Sequence, residues 1–462
     1  MTKSCLDEIK SQLPGSSWID NPAEFEPFLH EWRGRWQGQT PLLLRPGTSE
    51  AGAQIVRICA RHKTPLCVQG GNTGLVGGQI PQGEILLSLN RMRAVRSIDA
   101  QGRVMVCEAG VTLREAQMAA QEHGLKYPLS LASEGSCTIG GNLATNAGGV
   151  HVLKYGPARA LCLGVEAVLA DGSIYTGLSA LRKDNTGYDL SQLLIGSEGT
   201  LGIITAASLK LVAEPQTISR AFIALETLDR ALDVLGTLGK SHRLSMFEIM
   251  PDAGLELVCT YTHQHRPFTQ NYPWYALLEW EFEDDDDPQA YMEAKLADAL
   301  ENGTIENAVI AHNQTKSASL LALREHMSAA QKPLGAMIKH DISVPVAKVP
   351  EFITRANRAL LDYMPGIRPL PFGHMGDGNI HYNVASKPGM DSKAFMDCEG
   401  EINDLVYNIV SQLDGSISAE HGIGILKKQQ LVQRSAPAKI AAMRQIKTAL
   451  DPLNILNPRV LL

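Results

Sequence analysis

Residues 65–78 read PLCVQGGNTGLVGG, and two later stretches share their texture: SCTIGGNLATNAGG at 136–149 and GSEGTLG at 196–202. The first follows a short apolar segment of strand length. Glycine in such a loop permits positive φ and lets backbone N–H groups approach a ligand with no Cβ in the way. Of the 41 glycines in the chain, 14 fall in the windows 70–83, 135–149 and 196–202. The second window adds Ser136, Thr138, Asn142, Thr145 and Asn146, short polar side chains able to donate to phosphate oxygens. Together the windows read as a pyrophosphate cradle built from backbone amides, although a structural turn explains any one of them equally well. No window has the G-x-G-x-x-G form between strand and helix, and no G-x-x-x-x-G-K-[ST] occurs, so a Rossmann site and a P-loop are excluded.

Outward from these loops, apolar segments of strand length recur at 65–69, 84–89, 103–108, 164–170 and 201–212. Between them an amphipathic helix is expected over 112–123, opened by Thr112 with Glu115 three residues later, a capping-box spacing. After about Pro215 the texture changes. Helical periodicity at 227–240, 289–302, 317–331, 347–363, 393–413 and 435–449 alternates with short strands near 219–225, 245–250, 275–282, 340–346, 368–373 and 379–384. This is an α+β pattern, expected to give a mostly antiparallel sheet with helices on one face. Three parts are expected: 1–215, 216–420 as a second domain, and a helical segment 421–462 packing back on the first.

The chain has 462 residues, 44% hydrophobic and 20% charged, with a formal net charge of −7. No basic stripe suited to phosphate backbones is visible, which argues against nucleic acid as the main partner. Eight scattered cysteines without a Cys-x-x-Cys pair favour a reducing compartment over a disulfide framework. The N-terminus lacks an apolar signal core, and no run approaches 18 apolar residues, so a cytoplasmic protein without a membrane span is expected. The acidic run Glu283–Asp287 reads as a solvated loop.

A second dense cluster is PFGHMGDGNIHYN at 371–383. A strand turning through Gly376–Gly378 into a second strand would bring His374 and His381 towards one another. Such a pair is a reasonable two-nitrogen site for a divalent metal, and Glu420, next to His421, supplies a carboxylate to complete it. Satisfied structural histidines remain an equal reading of the residues alone.

The three glycine stretches resemble, in order and spacing, the flavin-binding loops of the vanillyl-alcohol oxidase/p-cresol methylhydroxylase superfamily of FAD oxidoreductases. The resemblance spans roughly 40–215, recurs after 370, and implies a PCMH-type FAD-binding domain of two subdomains with a substrate (cap) domain over 216–420. It implies FAD contacts at Gly70, Gly71, Asn72, Thr73, Gly74 and Gly77, at Ser136, Thr138, Gly141, Asn142, Thr145 and Gly148, and at Glu198, Gly202, Ile203 and Asn457. Members that hold flavin covalently often place His in the first loop; Asn72 stands here, implying non-covalent FAD.

Within that superfamily, G-H-x-G-D-G-N-x-H and E-H-G-x-G resemble the signatures of the FAD-linked 2-hydroxyacid dehydrogenases, a branch that includes D-lactate, glycolate and D-2-hydroxyglutarate dehydrogenases. The resemblance implies His374, His381 and Glu420 as ligands of zinc or another divalent ion, and His421 as the base. Arg324 and Lys339 resemble the pair that contacts substrate carboxylates in the D-2-hydroxyglutarate enzymes, with Asn379 and Asn383 favouring the same branch and Ser328 standing where those enzymes often have Thr. The implied reaction is oxidation of D-2-hydroxyglutarate, with D-lactate as the alternative. Electrons would pass to an acceptor such as electron-transfer flavoprotein or a quinone, and a homodimer is compatible with the branch. From a different class, the chain could be a flavin-binding or structural subunit whose histidines serve only packing.

Overall fold

The computed structural model describes residues 3–283 and 287–462, so Asp284–Asp286 of the acidic run lie outside the described residues. The chain divides into two compact units. The first comprises Met1–Gly149, Gly156–Glu214 and Glu420–Leu462; the second comprises Val150–Tyr155 and Pro215–Ala419.

The first unit holds two principal sheets. In one, Leu43–Leu44 and Leu66–Gln69 flank Ile85–Ser88 in parallel, and Trp18–Ile19 adds an antiparallel edge. The other is antiparallel, in the order Val95–Asp99, Val104–Glu108, Ile203–Lys210, Cys162–Val168, Ile174–Thr176. The helix expected at 112–123 runs Leu113–Gln121 and carries both capping-box bonds: Thr112 Oγ1 accepts from the Glu115 amide at 3.2 Å, and Glu115 accepts from the Thr112 amide at 2.9 Å. A second helix, Ser49–Arg61, capped by Thr48, was not anticipated although Ile55, Val56, Ile58 and Cys59 are buried along it. The tail after Glu420 is part of the same unit. The Leu66 amide donates to Ile455 O at 2.8 Å and the Asn457 amide to Leu66 O at 3.0 Å, so residues 455–457 lie along the strand that leads into the first glycine loop.

The second unit is built on one seven-stranded antiparallel sheet: β1 (Thr217–Leu225), β2 (Leu244–Pro251), β3 (Trp274–Phe282), β4 (Asn307–Ile310), β5 (Met337–Ser343), β6 (Arg368–His374) and β7 (Asn379–Ala385), in spatial order β4-β1-β3-β2-β6-β7-β5. Helices cover both faces, not one. On one face α1 (Asp252–Thr262) and α2 (Gln314–Glu325) bring Leu255, Val258, Leu320 and Leu323 into a core with Phe222, Met246, Leu277 and Phe372. On the other, α3 (Val349–Tyr363) and α4 (Glu399–Gln412) set Phe352 5.3 Å from Tyr382 and Tyr407 5.4 Å from His340. The reason is strand alternation: Tyr382 and His340 are buried, as are Phe372 and Leu277 on the opposite side, so neither face can be left to water.

Val150–Tyr155 lies among the first 215 residues but packs with the second unit. Two buried acids on β3 hold it. Glu279 accepts from His151 Nε2 at 2.9 Å, Arg220 Nη2 at 2.6 Å and the Ser245 hydroxyl at 2.8 Å, and Glu281 pairs with Lys154 at 2.7 Å. Burial is the strongest influence on Glu279 and would raise its pKa, but His151, Arg220 and Ser245 together hold the carboxyl well below the usual range. A depressed carboxyl contributes stability that is present above the unfolded-state value and lost as pH falls through the folded one. The melting temperature of the unit should therefore fall as pH drops below about 4.3, the ordinary Glu value. Glu279→Gln, which cannot titrate, should lower the melting temperature at neutral pH and flatten its decline between about pH 5 and pH 3. Parallel pH profiles for the two proteins would count against Glu279 as the source.

Candidate flavin and hydroxy-acid sites

The three glycine windows, more than 40 residues apart in sequence, meet within the first unit. A Cβ on Gly71 would lie 1.9 Å from Ser136 O, and one on Gly70 would lie 2.5 Å from Thr138 Oγ1, so the first loop can meet the second only as glycine. The second meets the third through the Gly196 amide on Leu143 O at 2.9 Å and the Glu198 amide on Ala144 O at 2.8 Å. Asn457 joins the first and third: its Oδ1 accepts from the Val68 amide and its Nδ2 donates to Glu198 O, both at 2.7 Å. Asn72, with φ at 55°, donates to His30 O at 2.9 Å.

Three polar atoms around these loops, Asn72 Oδ1, Asn142 Nδ2 and Ser197 Oγ, are buried with no hydrogen-bond partner among the described residues. Buried polar atoms are ordinarily paired, so these fit a polar ligand lying against the loops. Among the other residues singled out, Thr138 caps the helix Ile139–Ala144 that contains Gly141 and Asn142, and Thr145 ends it by bonding Gly141 O at 3.2 Å. Thr73, Gly74 and Gly77 follow in the first loop, and Gly148 is the next-to-last residue of the second. Gly202 and Ile203 enter a buried strand. The Glu198 side chain is committed to the protein itself: its two oxygens accept from the Ile423 and Gly424 amides, each at 2.8 Å, just beyond Glu420 and His421. Burial raises its pKa despite those two donors.

In the second unit the hairpin β6–β7 places His374 opposite Asn379 and His381 opposite Phe372. Residues paired directly across strands point to one face, so His374 and His381 lie side by side, ring centroids 5.2 Å apart. Gly378 makes the turn possible: its φ is +84°, and a Cβ there would lie 2.1 Å from Val344 O. Within the turn the Asp377 carboxylate accepts from the Asn379 amide at 3.0 Å, and burial pushes it up to about 6 against the pull of His374.

The pairing of β7 with β5 brings Asn383 opposite Lys339 and His381 opposite Asp341 on the same face. Lys339 Nζ donates to Ser328 Oγ at 3.2 Å, Asn383 Nδ2 to Gln331 Oε1 at 2.7 Å, and Asn379 Nδ2 to Asp341 Oδ1 at 3.0 Å. Arg324, in the last turn of α2, is 9% exposed and lies over the Phe372 ring at 4.9 Å. Arg324, Ser328, Lys339, Asn379, Asn383, His374 and His381 thus share one unit and one sheet face. Glu420 and His421 begin the last part of the first unit, immediately after Ala419 ends the second.

The residue that reading the sequence missed is Glu248 on β2. It is fully buried and bonds His374 Nδ1 through Oε1 and Arg324 Nε through Oε2, both at 2.5 Å. Burial, the largest influence, would raise its pKa; the Arg324 and His374 charges and hydrogen bonds outweigh it and hold the carboxyl at about 2. The available signal was an acid within the apolar strand LSMFEIMP.

Glycine loops that meet around buried polar atoms in the first unit, and a cation-lined histidine pair in the second, are the features of a flavin-dependent oxidoreductase, and the family matches establish that class. The chain belongs to the FAD-linked oxidases: residues 214–461 match the family described as "FAD linked oxidases, C-terminal domain", and residues 40–177 match "FAD binding domain". Similar chains include the mitochondrial D-2-hydroxyglutarate dehydrogenase of Danio rerio, 38% identical over 99% of this chain and 85% of that protein. The D-2-hydroxyglutarate dehydrogenase of Xanthomonas citri pv. viticola is 35% identical over 99% and 97%. A Schizosaccharomyces pombe protein whose name proposes a mitochondrial D-lactate dehydrogenase is 34% identical over 99% and 88%. Among solved structures, p-cresol methylhydroxylase with bound substrate shares the fold, with a TM-score of 0.78 at 18% identity over 99% of this chain and 97% of that one. No helix among the described residues is long and apolar enough to cross a membrane.

Proposed function

We propose that this flavoenzyme oxidises D-2-hydroxyglutarate to 2-oxoglutarate. The observation that carries the substrate is the convergence of Arg324, Ser328, Lys339 and Asn383 on the sheet face that holds His374 and His381. Arg324 uses one of its five N–H donors on Glu248, and a carboxylate can take others; Lys339 supplies the second point charge that a dicarboxylate requires. The names of the relatives at 35–38% identity support the same substrate and handedness.

His374, His381 and Glu420 are proposed to hold a divalent ion, zinc first among those suited to two imidazoles and a carboxylate. The histidines fit that role: Nδ1 of His374 donates to Glu248, which fixes the tautomer with Nε2 as the ligating atom. When bound, FAD would supply the hydride acceptor, and an ion held by His374, His381 and Glu420 would supply the positive charge that favours loss of the substrate's hydroxyl proton. His421 takes the hydroxyl proton. Arg324 and Lys339 anchor the carboxylates, and Asn379 and Asn383 complete the polar wall around them. FAD is held non-covalently, with Asn72 in the first loop, and reoxidation is by a protein or quinone acceptor.

D-lactate is the alternative substrate, favoured by the name of the yeast relative. Steady-state rates with both acids separate the two, and kcat/KM higher for D-lactate would overturn the first choice. Lys339→Ala should raise KM for D-2-hydroxyglutarate by about 10- to 100-fold, the worth of one charge-assisted hydrogen bond, and leave D-lactate within about threefold. Equal losses on both acids would remove Lys339 from substrate binding.

A further inference from the structure

We propose that Glu248 is a positioning residue that couples the ion-holding histidine to the carboxylate-binding arginine, so that metal affinity and dicarboxylate affinity rise and fall together. The inference rests on the reading of His374 as a metal ligand and Arg324 as a substrate anchor. It adds a residue that contacts neither ion nor substrate.

The argument is geometric. Glu248 and His374 are paired directly across β2 and β6, so the strand register fixes the approach of their side chains. One carboxylate serves two donors, Oε1 taking His374 Nδ1 and Oε2 taking Arg324 Nε. Both oxygens lie in one rigid plane, so a rotation that improves one bond disturbs the other. Both partners are themselves confined: the His374 ring packs edge-on against His381 at 5.2 Å, and the Arg324 guanidinium lies over Phe372 at 4.9 Å. A carboxylate behind a ligating imidazole fixes its tautomer and raises its basicity, and its loss typically costs 10- to 100-fold in metal affinity. The same anion neutralises a guanidinium that is almost wholly buried, aiming its remaining donors without consuming them.

Glutamine cannot reproduce this. Its amide has one oxygen, so with the oxygen on Arg324 the NH2 faces His374 Nδ1 and selects the tautomer with hydrogen on Nε2, the wrong one for a metal. With the oxygen on His374, two donors meet at Arg324. Either way one bond becomes repulsive, and because both side-chain atoms lie in one plane, the displacement that relieves it also misaligns the other bond, so both functions weaken.

The test uses full-length holoenzyme. Zinc affinity is measured by competition with a chromogenic chelator, and D-2-hydroxyglutarate affinity by the half-saturating concentration for anaerobic reduction of the flavin in zinc-saturated protein. For Glu248→Gln the expected result is zinc affinity lower by about 10- to 100-fold, together with weaker D-2-hydroxyglutarate binding, at unchanged FAD content. A zinc affinity equal to that of the wild type, or a loss confined to one of the two ligands, overturns the proposal.

Should Glu248→Gln fail to fold, Arg324→Met reads the same coupling from the other side. Arg324 is not a metal ligand, yet its removal should shift zinc affinity by at least about fivefold, the lower end of measured site-to-site couplings; an unchanged affinity overturns the proposal. Failure of the underlying reading looks different. Wild-type protein that binds no divalent ion removes both the metal site and the coupling. Wild-type protein that prefers another 2-hydroxy acid, while Glu248→Gln weakens zinc and that acid together, overturns the substrate and leaves the coupling supported.

Discussion

Replacing His421 with alanine is expected to lower turnover at least about 100-fold, near the low end for loss of a general base, while the flavin remains bound. Oxidation of a 2-hydroxy acid requires loss of the hydroxyl proton as the hydride leaves C2, and the variant lacks the group proposed to receive it. The flavin is expected to stay because the glycine loops and Asn457 proposed to surround it do not depend on this side chain. The two residues after Gly422 are anchored by their backbone amides to Glu198, which keeps the segment in place without the imidazole. The measurement is anaerobic stopped-flow reduction of the flavin by substrate, together with the absorbance spectrum. Reduction at the wild-type rate would remove His421 from the mechanism. Slow reduction that recovers with rising pH would support it, since hydroxide can then take the proton.

The second large effect is expected on removal of the divalent ion that His374, His381 and Glu420 are proposed to hold. Dialysis against a strong chelator should depress flavin reduction by about a thousandfold, corresponding to several kcal/mol of lost charge stabilisation. Adding back zinc, manganese or iron should restore it, with the most effective ion identifying the native one. His381→Ala should mimic the stripped protein and resist rescue, because its ligand nitrogen is gone. Reduction of the flavin by dithionite provides the control and should be unaffected in both. Full activity in thoroughly stripped protein would turn His374 and His381 into structural residues, held by Glu248 and by aromatic packing against Phe372.

Much of this architecture could be read before folding was considered. The strands, the Thr112 capping box and the β6–β7 hairpin depend on neighbours within a few residues, so local pattern suffices to find them. The hairpin also carried its own consequence: a turn through Gly376–Gly378 sets the parity that puts His374 and His381 on one face. Reading failed where a residue's meaning depends on distant partners. The helix Ser49–Arg61 is hidden in the sequence because its apolar positions are interrupted by Arg57 and small residues, and its packing shows the buried stripe. Helices were assigned to a single sheet face because alternation of apolar residues shows that a face is covered but not by which element.

By itself, then, the sequence determined the glycine loops, the hairpin with its histidines and the cation-bearing helix, since each is a matter of local backbone and side-chain chemistry. Tertiary structure alone decided that loops at 70, 136 and 196 meet and that Val150–Tyr155 joins the other unit. It also decided that an acid inside an apolar strand stands between a histidine and an arginine. The physical reason is the same in each case: a close backbone approach or a buried ion pair acquires its energy from a partner more than 50 residues away, and one-dimensional pattern carries no record of which partner that is.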